Sequence, residues 1–199
     1  MQNQPTLPAI KSFSNEHFSF TPVDISHKAL IVSLYTNTQA MRFVEPVQNT
    51  QDAIKIHQSF VRKNNNPPSG FYTWAVQAKQ LSQFSEANNI NEACPLGFVV
   101  LYTKVGKCEL SYPEIGIMLK PNISGNGIAT RVLSALIIQV FQLIPCDAIN
   151  IRFHQKHAAM QRISEKLGFI YDELQQNQER KGIYDEMRIE TIEKSKIVY

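Results

Sequence analysis

Apolar residues recur every three or four positions late in the chain: Ile128, Val132, Leu133, Leu136, Ile137, Val140, Phe141 and Ile144. That spacing fills one face of a helix for about four turns. Pro145 ends it. A shorter period marks strands. His17, Ser19 and Thr21 alternate with Phe18, Phe20 and Pro22, and similar runs cover Phe71–Ala78, Leu96–Thr103, Glu109–Leu119, Ala148–Phe153, Phe169–Leu174 and Ile183–Ile189. Asp24 is placed to cap a helix over Ile25–Tyr35 with a stripe of Ile25, Ala29, Val32 and Leu34 or Tyr35. Asn49 or Thr50 caps another to about Lys63, with Ile54, Ile56, Phe60 and Val61 as its apolar positions. A fourth helix, Gln155–Leu167, stops at Gly168. Residues 1–16 read as a loosely ordered leader, Asn64–Gly70 as a break and residues 79–95 as a long polar turn. The order predicts one mixed α/β domain over residues 17–199.

Composition narrows the class. The chain has 199 residues, 43% hydrophobic and 19% charged, which suits one folded domain and not a disordered one. A formal net charge of +3, with scattered basic residues, argues against nucleic-acid binding. Three cysteines, Cys94, Cys108 and Cys146, are widely spaced, fit no metal pattern and read as free thiols. No metal site is expected. The chain also lacks a membrane-length apolar run, so a cytoplasmic location is expected.

One stretch carries chemistry. A strand ends near Leu119, a short loop holds Ser124, Gly125, Asn126 and Gly127, and the long helix begins at once with Ile128, Ala129 and Thr130. Helix N-termini present unpaired N–H groups and partial positive charge. Glycines let an anion approach that backbone. This is neither a Walker loop nor a full dinucleotide fingerprint, since no Gly-Lys-Ser/Thr follows and residue 130 is Thr. By itself the pair of glycines also fits a plain tight turn.

About forty residues on comes His157-Ala-Ala-Met-Gln-Arg-Ile-Ser-Glu-Lys-Leu-Gly-Phe169. Together the two segments resemble the GCN5-related N-acetyltransferase (GNAT) superfamily, through the turn Ser124-Gly-Asn-Gly127-Ile-Ala129 and the ending Glu165 to Phe169. Thr38 to Phe43, Trp74-Ala-Val, Leu96-Gly-Phe and Gly182-Ile-Tyr-Asp185 look like the branch that acetylates N-termini of ribosomal proteins. The resemblance spans about residues 18 to 190. It implies an α+β fold with a mostly antiparallel sheet of about six to seven strands, about four flanking helices and a splayed central parallel pair. It further implies that Ile117, Met118 and Leu119 pair with the pantetheine arm of acetyl-coenzyme A. The amides from Gly125 to Thr130 would hold its pyrophosphate, and His157 would touch the cofactor. An amine, either a protein N-terminus or a small molecule, would be the acceptor. The protein would act as a monomer or homodimer, with no nucleic-acid or membrane partner.

This sequence departs from the family at Ser124, where Arg or Gln is usual, at His157 for Asn, and at Met160 for the branch's Ser. Ser164 stands where relatives place an acidic Tyr. Acyl transfer needs a base for the amine and a donor for the tetrahedral oxyanion. Glu114 is the candidate base, set against a solvated strand-end carboxylate. Glu179 is a second carboxylate. Ser164 and Tyr184, with Tyr171, are candidate donors to the leaving thiolate, and the Met118 amide is the candidate oxyanion donor. The alternative is a fold relative that binds coenzyme A but transfers little or nothing.

Overall fold

The computed structural model describes residues 9–66, 70–79, 94–103, 112–123, 127–171 and 187–197. Along the chain run β1 (Phe13–Ser14), β2 (Phe18–Pro22), α1 (Lys28–Tyr35), α2 (Thr38–Met41), α3 (Thr50–Asn64), β3 (Phe71–Ala78), β4 (Gly97–Tyr102) and β5 (Glu114–Leu119). Then follow α4 (Ile128–Leu143), β6 (Ala148–His154), α5 (Ala158–Leu167), β7 (Ile170–Tyr171) and β8 (Met187–Glu193). The strands form one sheet in the order β1-β2-β3-β4-β5-β6-β8-β7. Every neighbouring pair is antiparallel except β5 with β6. The fold is thus the mixed α/β architecture expected from the sequence, with eight strands in place of six or seven and five α-helices in place of four among the described residues.

Strand alternation gives the sheet two apolar faces. On one, Tyr72, Trp74, Val99, Leu101, Ile115, Ile149 and Ile151 lie with Val132, Leu133, Leu136 and Ile137 of α4, and Met160 and Leu167 of α5 pack against the same core. On the other, Ala75, Phe98 and Met118 meet Leu30, Ile31 and Leu34 of α1 and Ala53 and Phe60 of α3. Each fully buried large side chain contributes roughly 1.5–3 kcal/mol of transfer free energy. The long apolar stripe of α4 therefore anchors the segment whose N-terminus carries the site.

Three expectations shift. Asp24 caps as expected, accepting from the Ser26 amide at 2.9 Å, but residues 25–27 form a 3-10 turn. The tighter turn rotates the buried face of α1 to Leu30, Ile31, Leu34 and Tyr35, leaving Ile25 exposed. On α3, the buried positions include polar His57 and Asn64. Asn64 donates to the Val23 and Thr73 carbonyls at 3.0 and 2.9 Å and accepts from the Thr73 amide at 2.9 Å, so α3 is bolted to β2 and β3. Within the expected leader, Phe13 pairs with Phe20, stacks on it at 4.2 Å and meets Trp74 edge-on. The Trp74 indole donates to the Lys11 carbonyl at 2.8 Å.

Candidate active site

The sheet opens between β5 and β6. These parallel strands pair only at Glu114 with Asn150 and Ile115 with Ile151. Beyond that, β5 stays with β4 as far as Leu119, and β6 stays with β8 as far as His154. The expected splay at Ile117 to Leu119 is therefore present.

Which amides face the gap follows from strand alternation. The Asn150 amide donates to the Pro113 carbonyl at 2.8 Å, so odd residues of β5 turn their backbone toward β6. The Lys120 amide donates to the Leu96 carbonyl at 2.8 Å, so even residues turn toward β4. Ile117 and Leu119 thus present their N–H and C=O groups to the gap. Met118 does not, which corrects the choice of its amide as oxyanion donor. Its carbonyl points at Gly97, where a Cβ would stand only 2.1 Å from the Met118 oxygen. Glycine at position 97 lets β4 hug the end of β5, opposite Leu119, beyond the last β5–β6 pair. The Met118 side chain is buried on the α1 and α3 face.

Below the gap, α4 starts on Gly127, whose left-handed backbone (φ 69°) a residue with a Cβ adopts only at a cost. Gly127 itself has no side chain to cap this end, and no capping side chain is seen among the described residues. A Cβ at Gly127 would find no heavy atom within 4 Å. The amides of Ile128, Ala129 and Thr130 precede the first intrahelical bond, which runs from the Arg131 amide to the Gly127 carbonyl at 3.1 Å. Amides without an intrahelical partner, the positive end of a long helix and open space at the glycine together suit a phosphate or pyrophosphate. Ser124, Gly125 and Asn126 lie outside the described residues.

Beside it, α5 starts on His157. The His157 Nδ1 accepts from the Met160 amide at 3.3 Å. Its ring lies 4.5 Å from Phe43. Phe43 is also 5.8 Å from the His154 ring and lies under the Arg42 guanidinium at 5.0 Å. Burial holds the His157 pKa below the ordinary histidine value; a backbone hydrogen bond opposes this, and electrostatic repulsion from His154 and Arg42 reinforces it. A cavity of about 350 Å³ opens here, lined by Arg42, Phe43, Val44, Glu45, Val47 and His154 among others.

The expected catalytic residues fare differently. Glu114 takes two contacts from Arg152 on its Oε2, 2.8 Å from Nη2 and 3.2 Å from Nε, and both side chains are largely buried. Ser164 is fully buried and donates its hydroxyl proton to the Gln161 carbonyl at 2.8 Å. Tyr171 lies on the edge strand β7 under the Arg188 guanidinium, with β8 and β6 between it and the gap. Tyr184 and Glu179 lie outside the described residues. No metal-binding cluster of His, Cys, Asp or Glu is found among the described residues. Sequence reading overlooked Arg152, His154 and Phe43. The first two carried a signal, since Asn150, Arg152 and His154 alternate with Ile149, Ile151 and Phe153 along one strand.

Residues 17–170 match the family model described as acetyltransferase (GNAT) domain. The chain belongs to the GNAT acetyltransferase family. It is accordingly an acyltransferase, with the splayed strands and glycine-led helix just described. No curated protein sequence matches the chain. Among solved structures, this GNAT protein is similar to an acetyltransferase from Agrobacterium tumefaciens, with TM-score 0.69, 11% identity, and coverage of 92% of this chain and 94% of that one. Spermidine N-acetyltransferase from Vibrio cholerae, in complex with CoA and spermine, aligns with TM-score 0.65 and 16% identity over 92% of this chain and 98% of its own. RimL, a ribosomal L7/L12 α-N-protein acetyltransferase in complex with coenzyme A, aligns with TM-score 0.68 and 13% identity over 92% and 98%. At such identities the likeness is one of fold. No helix among the described residues is long and apolar enough to cross a membrane.

Proposed function

We propose that this protein transfers the acetyl group of acetyl-coenzyme A to a primary amine, of a protein N-terminus or a small molecule, by direct attack within a ternary complex. The observation that carries the reading is the gap between β5 and β6, with β5 ending at Leu119 and leading by a short connection into the glycine-led start of α4 at Gly127. A pyrophosphate on the amides of Ile128 to Thr130 leaves the pantetheine arm to run along Ile117 and Leu119. The arm then supplies the edge partner that β6 withdraws. The similar spermidine N-acetyltransferase in complex with CoA and spermine is in keeping with this.

The chemistry asks little more of the chain. A neutral amine attacks the thioester carbonyl, and the new oxyanion needs donors that are already in place. The amide of Ile117 or Leu119 fits that role. The C–S bond then breaks, and the thiolate leaves with an ordinary thiol pKa of about 8.5, so acid help is secondary. This eases the demand on Ser164 and Tyr184. Glu114 acts by ordering a water that takes the amine's proton, since its Oε2 is committed to Arg152.

Acetyl-coenzyme A should raise the thermal midpoint of the wild type, and thiol release should depend on an added amine. Gly127→Trp should lose most of the about 2.7 kcal/mol of ligand stabilisation that the wild type gains at a hundredfold excess over its Kd, while keeping the wild-type circular dichroism spectrum. Ligand stabilisation of that variant equal to wild type removes the cradle, and thiol release indifferent to every amine removes the acceptor class.

A further inference from the structure

His157 joins two parts of the site that are far apart in sequence. On one side it caps α5 through Nδ1, which accepts from the Met160 amide. On the other its ring rests against Phe43, with planes 36° apart. Phe43 forms a wall of the cavity shared with Arg42, Glu45 and His154. The chain after Phe43 is held at the Val44 amide, bonded to the Met41 carbonyl, and at the Gln48 amide, bonded to the Tyr35 carbonyl. Between those bonds Val44 and Val47 are exposed. The ring contact with His157 therefore supplies the inward support of this segment.

Nδ1 can accept that bond only while it carries no proton. A proton there sets two donors against each other, at a helix N-terminus that already disfavours positive charge. Arg42 faces the ring from the segment after α2 and His154 from the end of β6. Glu45 lines the same cavity as His154, while Lys156 and Arg162 are exposed on the flanking turn and on α5. Once protonated, the ring has its own backbone as the competing acceptor. We propose that His157 is a positioning residue that holds the cavity wall, through Phe43, only while its imidazole is neutral. The inference rests on the acetyl transfer proposed above and assigns this cavity, beside the start of α5, to the amine acceptor.

The sign of the pH dependence follows. Because the folded-state pKa lies below the ordinary 6.5, the neutral contact contributes fully above that value. Its contribution is lost as pH falls through the folded pKa.

The test uses the full chain as wild type, His157→Asn, His157→Ala and Phe43→Leu. Asn keeps a capping oxygen that does not titrate. For each, KM for a reactive amine, expressed as neutral amine, and the thermal midpoint are compared at about pH 8 and about pH 5.5, either side of the ordinary histidine range. The wild type should show an acid-side rise in KM of about threefold or more and a matching drop in midpoint. His157→Asn should show a flatter profile in both. His157→Ala and Phe43→Leu should raise amine KM at both pH values, with cofactor KM moved less. Equal acid-side rises in KM for wild type and His157→Asn overturn the proposal. So do superimposable midpoint profiles, a comparison that needs no turnover and stands even if no amine is found to react.

Discussion

At the scale of single residues, Glu114 and Arg152 decide between a catalytic and a structural reading. Glu114→Gln takes the carboxylate charge away from the Arg152 guanidinium, whose side chain is only 13% exposed. That should cost about 1–3 kcal/mol in urea denaturation, toward the lower end because a quarter of the Glu114 side chain reaches water. Glu114→Leu with Arg152→Leu should recover most of the loss. If Glu114 organises the proton path, the double variant is stable yet slow, and slower still at low pH, where the amine is mostly protonated. A double variant with the wild-type rate removes Glu114 from the chemistry. Glu114 was legible in the sequence as a carboxylate on a strand leading to the glycine turn. Its partner was not, because a pair 38 residues apart leaves no local trace. Asn64 and His57 were missed for the same reason: Asn64 serves the carbonyls of Val23 and Thr73, and His57 Nε2 lies 2.8 Å from the Asp24 carbonyl. Cys146, read as a free thiol, is one, and burial pushes its pKa up to about 11.

At the scale of elements, α4 was readable almost to the residue. Its period is unbroken and its ends are a glycine and a proline, both with a steric reason to be there. The phase of α1 was not readable, since a 3-10 turn inserts before it and no residue pattern announces that change of pitch. Strand β5 shows a subtler limit. Its position was evident, but which amides face outward depends on the register with both neighbours. That register makes a sharp prediction for hydrogen exchange in the ligand-free protein. The amides of Ile117 and Leu119 should exchange at least about tenfold faster than that of Met118, as an open edge does beside a paired strand. Coenzyme A should slow the first two. Slow exchange at Ile117 and Leu119 without ligand would contradict the alternation drawn from the Asn150 and Lys120 bonds.

At the scale of the molecule, both faces of the sheet are covered, and the α4 face carries the larger cluster. Leu136→Ala, at a fully buried position, should cost about 3–5 kcal/mol, a large share of a typical stability of about 5–15 kcal/mol. It should appear as a lower urea midpoint with an unchanged slope. The overall architecture was legible because strand and helix periods follow one another without conflict. The strand count was not, since β1 is two residues long, too short to show a period, and lies in the expected leader; β7 falls within the strand expected over Phe169–Leu174. Only two residue pairs stitch β5 to β6. Mechanically the described sheet is two plates, one of five strands and one of three, riveted at a single corner and clamped by helices. A coenzyme wedged into that seam would act as a spline, so the stiffness of the whole body, and not merely the occupancy of one groove, would change each time a product leaves.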